Sequence, residues 1–274
     1  MVLVNVLCGC SLWPGSASAA FRPFTFVQIA DPQFGMYMVM KEEPGYDREI
    51  RDCDLAVRQI EALRPEFIAV TGDFVNTWND AEQLELFRAH HEALGRIAPV
   101  YLAVGNHDMP PTAEARTMVR SRYGEDYFAV THRQCRLIFL NSNLIFYAEK
   151  LPEEEQAQWN WLVAELEAAR RDGARRIFIF QHHTWFVRDP GEKDDYFNIP
   201  SARRLTYLDL FADHGVDAVF TGHYHRECMQ WYRDVLLIST SSLGKPLGQH
   251  PPGFRVVTVH ADGLEEHFIP VTPQ

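Results

Sequence analysis

Thiol chemistry has little to work with in this chain. Its 274 residues include five cysteines, two of them within the first ten positions. The other three, Cys53, Cys135 and Cys228, stand far apart and show no C-x-x-C spacing. That excludes a cysteine-built metal site and points to buried thiols. Positive charge is also scarce: 26 Lys+Arg face 37 Asp+Glu, for a formal net charge of −11. Such a chain lacks the basic field that non-specific binding to nucleic acid or an anionic membrane needs. After the first twenty residues no segment approaches the ~18–20 apolar residues of a membrane span. Repeats, low-complexity tracts and linkers are missing as well, so residues 21–274 read as a single domain. A chain of this length buries a sizeable core without disulfide staples.

What the chain does have begins with an unusual start. Residues 1–20, MVLVNVLCGCSLWPGSASAA, are an apolar run followed by small residues, with Ala17-Ser-Ala19 spaced like a cleavage site. The basic n-region of a secretory leader is missing. Leu7-Cys-Gly-Cys10 has the pattern of a bacterial lipoprotein box. It would place a lipid on Cys10 and give the protein its one route to a membrane. Two readings stay open: a leader for a periplasmic or lipid-anchored protein, or a disordered start to a cytoplasmic one.

Beyond it, β-rich apolar runs alternate with amphipathic stretches. Phe24–Ala30, Phe67–Thr71, Val100–Val104, Leu137–Leu140, Ile177–Phe180, Ala218–Thr221, Val235–Thr240 and Arg255–His260 read as strands. Several are continuously apolar, as expected of strands covered on both faces. Helical stripes run over Asp47–Leu63, Asp80–Leu94, Pro152–Arg171 and Arg203–His214. The third opens with proline and three glutamates, and Gly173 and Gly215 follow the last two. This alternation predicts an α/β fold with sheets flanked by helices.

Five of the apolar runs end in the same way. FTFVQIA leads into Asp31, FIAVTG into Asp73, VYLAVG into Asn106-His107-Asp108, IFIFQ into His182-His183, and AVFTG into His223-Tyr-His225. Ligands of α/β sheets gather beyond the carboxyl ends of strands. Convergence of these ends would collect two aspartates, an asparagine and at least four histidines in one crevice. Two buried carboxylates repel, and one of them takes a proton unless cations compensate. Mixed oxygen and nitrogen donors without thiolate suit Fe, Mn or Zn. Seven donors exceed one tetrahedral site, whereas two ions sharing a carboxylate account for them. Such a pair is a recurrent device for phosphoryl displacement. Gly72, Gly105 and Gly222 precede three of the donor blocks and are expected to permit the sharp turns there.

In order and spacing, Asp31-Pro-Gln33, Gly72-Asp73, Gly105-Asn-His-Asp108, His182 and Gly222-His-x-His225 resemble the five blocks of the calcineurin-like metallophosphoesterase superfamily. Ala30-Asp-Pro-Gln-Phe-Gly35, Gln181-His182, Asp194-Asp-Tyr-Phe-Asn198 and Gly222-His-Tyr-His-Arg226 look like its small branch of calcineurin-like phosphoesterase domain-containing proteins. The resemblance implies the metallo-dependent phosphatase fold, a four-layer αββα sandwich of two mixed sheets flanked by helices. It implies two divalent or trivalent metal ions, Mn, Fe or Zn. Asp73 would bridge them, Asp31 and His225 would hold the first, and Asn106, His182 and His223 the second. His107 would be the acid that protonates the leaving oxygen, and Asp108 the residue orienting it. Asn106 and His107 would also touch substrate.

Two positions depart from the superfamily pattern. Gln33 stands where histidine is usual and offers a neutral amide oxygen to the first ion, directly or through water. Thr184 replaces a proline, which leaves open which member of the His182-His183 pair ligates; alignment favours His182. The segments Trp185-Phe-Val-Arg188 and Asp194–Asn198 are expected to loop over the site, with Arg188 as a candidate phosphate contact. The remaining histidines read as surface or structural. The expected activity is hydrolysis of phosphomonoesters, on small molecules or on phosphoserine or phosphothreonine of proteins, by attack of a metal-bridging hydroxide. The alternatives are a phosphodiesterase of cyclic nucleotides or lipid headgroups, and a degenerate, non-catalytic metal-binding module.

Overall fold

The computed structural model describes residues 20–271; the leader-like stretch with Cys10 lies outside them. In chain order the elements are β1 (Phe24–Ile29), α1 (Met36–Val39), α2 (Asp47–Leu63), β2 (Ile68–Thr71), α3 (Ala81–Gly95), β3 (Val100–Ala103) and α4 (Ala113–Tyr123). Then come β4 (Phe128–His132), β5 (Cys135–Phe139), α5 (Ser142–Phe146), α6 (Pro152–Arg171), β6 (Arg176–Phe180), α7 (Ser201–Asp213) and β7 (Ala218–Thr221). Two hairpins complete the described chain: β8 (Cys228–Tyr232) with β9 (Val235–Ser239), and β10 (Gly253–Val259) with β11 (Leu264–Pro270).

The strands form two mixed sheets, ordered β11-β10-β1-β2-β3 and β4-β5-β6-β7-β9-β8. Within the first, β1, β2 and β3 are parallel; within the second, β5, β6, β7 and β9 are. Side-chain alternation along each strand makes the layers. Phe26, Phe139, Phe178, Phe180 and Phe220 point inward and pack between the sheets with Val257 and Val259. Phe26 stacks on Phe67 at 4.7 Å, and Phe180 stacks on Phe139 at 4.7 Å and on Phe220 at 5.2 Å. Truncating one such ring costs about 3–5 kcal/mol. The alternate residues face outward. Val27, Ile29, Ile68 and Val70 meet Cys53, Ala56 and Ile60 of α2 and Phe87 and Leu94 of α3. Ile138, Ile177, Ile179 and Val219 meet Leu162 and Leu166 of α6 and Leu208 and Phe211 of α7. Helices, sheet, sheet, helices is the expected four-layer order.

Cys53 and Cys135 are buried thiols, while Cys228 is only half-buried because it lies on the edge strand β8. No helix among the described residues is long and apolar enough to cross a membrane.

Candidate metal centre

The two sheets supply different donors to one edge. Asp31, Asp73 and Asn106 follow the carboxyl ends of the parallel strands β1, β2 and β3. His182 follows β6, and His223 and His225 follow β7, which is parallel to it. Oxygen donors thus come from the first sheet and imidazoles from the second.

Their side chains meet in two overlapping groups. The ligand atoms of Asp73, His182 and His223 lie within 4.8 Å of one another, as do those of Asp31, Asp73 and His225. Asp73 belongs to both. His225 Nε2 is 3.3 Å from Asp31 Oδ1. Around His182 Nε2 stand Asn106 Oδ1 at 3.0 Å, His223 Nδ1 at 3.1 Å and Asp73 Oδ2 at 3.2 Å.

Each imidazole is oriented by a backbone carbonyl on its other nitrogen. His182 Nδ1 donates to Thr71 O at 2.9 Å, His223 Nε2 to Tyr196 O at 2.6 Å and His225 Nδ1 to Lys245 O at 2.6 Å. A carbonyl can only accept, so these nitrogens carry hydrogen and the opposite ones turn lone pairs toward the cluster. Carbonyl partners of this kind set the tautomer of metal-ligating histidines. His182 Nε2 therefore faces three acceptors. One proton serves one of them, whereas a cation serves all.

The electrostatics express the same demand. Burial alone would depress the His182 pKa, but the Asp73 charge outweighs it and carries His182 up to about 9. Burial and the neighbouring His182 pull His223 down to about 3. Burial opposes ionisation of Asp73, yet His182 and His107 hold it below the usual carboxylate range. Asp31, at 0% exposure, and Asp73, at 1%, place two carboxylates in one buried site. Positive charge stabilises that arrangement.

The backbone is strained where the donors sit. Among the described residues, nine non-glycine residues have positive φ, and five of them are Asp31, Gln33, Asp73, His223 and His225. Left-handed conformations of this kind persist only where the surrounding structure enforces them, and they cluster at functional sites. The glycines answer to crowding more than to turns. Gly72 does sit at φ +86°, but Gly105 and Gly222 are not left-handed. A Cβ at Gly105 would lie 2.1 Å from Asp73 Oδ1, and one at Gly222 would lie 2.4 Å from Asp31 Oδ2. Gly105 leaves room for a carboxylate arriving from the neighbouring strand β2, and Gly222 for one arriving from β1 of the other sheet.

Gln33 is buried, donates through Nε2 to Asn76 Oδ1 at 3.2 Å, and leaves Oε1 without a hydrogen-bond partner. A buried, unpartnered amide oxygen, on a residue whose backbone N–H bonds Asp73 O at 2.8 Å, fits a cation. His107 lies next to the cluster: its backbone N–H donates to Asp73 Oδ1 at 2.9 Å, and its Nδ1 donates to Asn76 O at 2.7 Å. The expected role of Asp108 is corrected here. Its carboxylate accepts from the backbone N–H groups of Phe74 and Gly105, at 2.7 and 2.8 Å, and of Val75. Asp108 therefore ties the loop after β3 to the loop after β2, and the carbonyl of Asn76 orients His107 instead. Burial and the nearby Asp73 push the Asp108 pKa well up.

His183 belongs to neither group: its Nδ1 meets Ser142 Oγ at 2.9 Å and its ring stacks on Phe146. Thr184 bonds Gly222 O and Ser239. Arg188 does not reach the cluster through any contact described: it is exposed, and its backbone N–H donates to Glu192. The Glu192 carboxylate gathers the N–H groups of residues 187–189 and turns that segment aside. Sequence reasoning did not single out Asn76 or Tyr196. The former carries no chemical signature. The latter lies in Asp194–Asn198, a segment expected over the site without a residue chosen from it.

The chain is similar to known proteins in sequence and in fold. Residues 24–227 match the family profile described as Calcineurin-like phosphoesterase. The chain is 34% identical over 261 residues to Serine/threonine-protein phosphatase CPPED1 of Rattus norvegicus, covering 90% of this chain and 83% of that one. The protein of that name from Danio rerio is 32% identical over 260 residues, covering 90% and 84%. In three dimensions the chain resembles a dimetal phosphatase from Danio rerio with a TM-score of 0.66 at 18% identity, over 91% of this chain and 99% of that one. It also resembles a purple acid phosphatase from yellow lupin, with a TM-score of 0.63 at 15% identity over 94% and 52%.

Proposed function

Because the chain belongs to the calcineurin-like phosphoesterase family and is a phosphoric ester hydrolase, we propose that it hydrolyses phosphomonoesters at a two-metal centre. Phosphoserine and phosphothreonine side chains of proteins are the substrates we favour. The observation that carries the two-metal reading is the sharing of Asp73 between two ligand groups. On this reading Asp31, Gln33 and His225 would hold the first ion, Asn106, His182 and His223 would hold the second, and Asp73 would be shared by both. The donor set suits Mn, Fe or Zn. When bound, such a pair activates a water nucleophile and neutralises charge on the transferred phosphate.

The chain's own groups supply the rest. Asn106 and His107 are half-buried beside the cluster, and on this reading they would face the phosphate. With Nδ1–H committed to Asn76 O, His107 is left with Nε2 as the atom that carries a proton to the departing alkoxide. The preference for monoesters of serine and threonine is supported by the names of the relatives alone.

The test is metal analysis of the full chain together with hydrolysis of p-nitrophenyl phosphate and its bis ester in Mn, Fe or Zn. Two ions per chain and a clear preference for the monoester are expected. Asp73→Asn should lower occupancy at both positions. One ion per chain, or faster cleavage of the bis ester, would overturn the proposal.

A further inference from the structure

Tyr196 is 52% exposed, yet it is tied into the donor cluster at three points. Its carbonyl accepts from His223 Nε2 at 2.6 Å, its ring centroid lies 4.7 Å from that of His223, and its hydroxyl accepts from Asn106 Nδ2 at 3.2 Å. The segment bearing it is pinned. Asp194 accepts from the backbone N–H and the hydroxyl of Ser201 at 2.7 and 3.1 Å, and Asn198 Oδ1 accepts from Asp195 N at 3.0 Å. A surface phenol ordinarily turns its hydroxyl to water. This one is held beside a candidate ligand while half the residue stays open.

A hydroxyl that accepts from Asn106 still has its own hydrogen to donate. The cationic side chains nearby are engaged elsewhere: Arg226 lies over Phe197 and Tyr224, Lys150 over Tyr147, and Lys245 pairs with Glu42. Resting on the phosphoesterase reading above, we propose that Tyr196 Oη–H donates to a non-bridging oxygen of the substrate phosphate. It does the work of the guanidinium that Arg188 was expected to supply, and the Asn106 amide holds it in place. A neutral phenol grips the phosphate of an ester and of the free product alike.

The experiment uses the full chain loaded with metal and compares wild type with Tyr196→Phe. Inorganic phosphate binding is measured by calorimetry, hydrolysis of p-nitrophenyl phosphate by kcat and KM, and occupancy by metal analysis. One hydrogen bond to a charged oxygen corresponds to a loss of roughly ten- to a hundredfold in phosphate affinity and a comparable rise in KM, with metal content unchanged. Unaltered phosphate affinity in Tyr196→Phe overturns the proposal. So does loss of metal, which would reduce Tyr196 to a support for Asn106, and so does a wild type that binds no phosphate. A wild type that binds phosphate tightly but cleaves neither ester sinks the phosphoesterase reading and leaves the tyrosine contact standing.

Discussion

Replacing Gly105 by alanine tests how the centre is packed. The added Cβ would lie 2.1 Å from Asp73 Oδ1 and 2.3 Å from Asp73 N. Ordinary contact distances are more than about 1 Å longer, and the backbone nitrogen cannot swing away as a side chain can. The loop after β3 must therefore move by about that much. It takes with it the bonds Gly105 N→Asp108 Oδ2 at 2.8 Å, His107 N→Asp73 Oδ1 at 2.9 Å and Asn143 Nδ2→Gly105 O at 3.0 Å. Overpacking of this kind costs about 1–3 kcal/mol, and each weakened bond adds about 1 kcal/mol. The sum, about 4–6 kcal/mol, lowers Tm by on the order of 10 °C or more for a domain of this size. Asp73 is common to both ligand groups, so neither should keep its metal. The expected result is metal loss, a lower Tm by calorimetry, and hydrolysis reduced at least about a hundredfold. Gly95→Ala is the control: a Cβ at the end of α3 meets nothing within 4 Å, and stability should hold or rise. A Gly105→Ala protein with full metal content and wild-type turnover would refute the packing argument.

His107→Ala should retain its metals and lose about 10²–10⁴ in kcat; if metal analysis shows depletion as well, the acid role is misassigned. Gln33→His substitutes imidazole for the unpartnered amide oxygen and should tighten the first ion, and an unchanged affinity by calorimetry counts against Gln33 as a ligand. A third prediction concerns pH. His90 is buried with Nε2 unpartnered, and burial lowers its pKa to about 4, against about 6.5 in the unfolded chain. The unfolded state takes up the proton first, so the stabilisation is complete above pH 6.5 and is lost as pH falls toward 4. The total is about 3 kcal/mol. His90→Leu should flatten that part of the stability curve relative to wild type, and denaturation curves that stay parallel from pH 7 to 4 would disprove the assignment.

Donors at strand ends were the most legible feature of the sequence, because a polar side chain after an apolar run is anomalous in itself. Asp31, Asp73, Asn106, His182, His223 and His225 converge as the spacing implies. Elements with strong local signals were equally plain: α2 and α6 span the stripes expected for them. The hairpins β4–β5 and β8–β9 were not seen as pairs, since β4 and β8 are amphipathic edge strands. Their turns place Arg133 and Arg233 at φ +53° and +51°, where glycine or asparagine would have announced a tight hairpin. What Asp108 does was misread because its partners are backbone amides of a loop distant in sequence, and backbone groups leave no trace in residue identity. Asn76 escaped notice for the same reason, since it acts through its carbonyl.

The division of donors between the sheets bears on how the molecule assembles. Carboxylates and the Asn106 amide stand on one lamina and imidazoles on the other, so neither lamina alone offers an ion a complete set of ligands. On the metal-centre reading, an ion spanning the seam would act as a clasp whose grip counts toward the docking of the two halves. At a hundredfold excess over its dissociation constant, one such ion contributes about 2.7 kcal/mol. On the same reading, chelation should loosen the protein first along the edge where Asp31 meets His225, while the phenylalanine layer beneath keeps the halves in register.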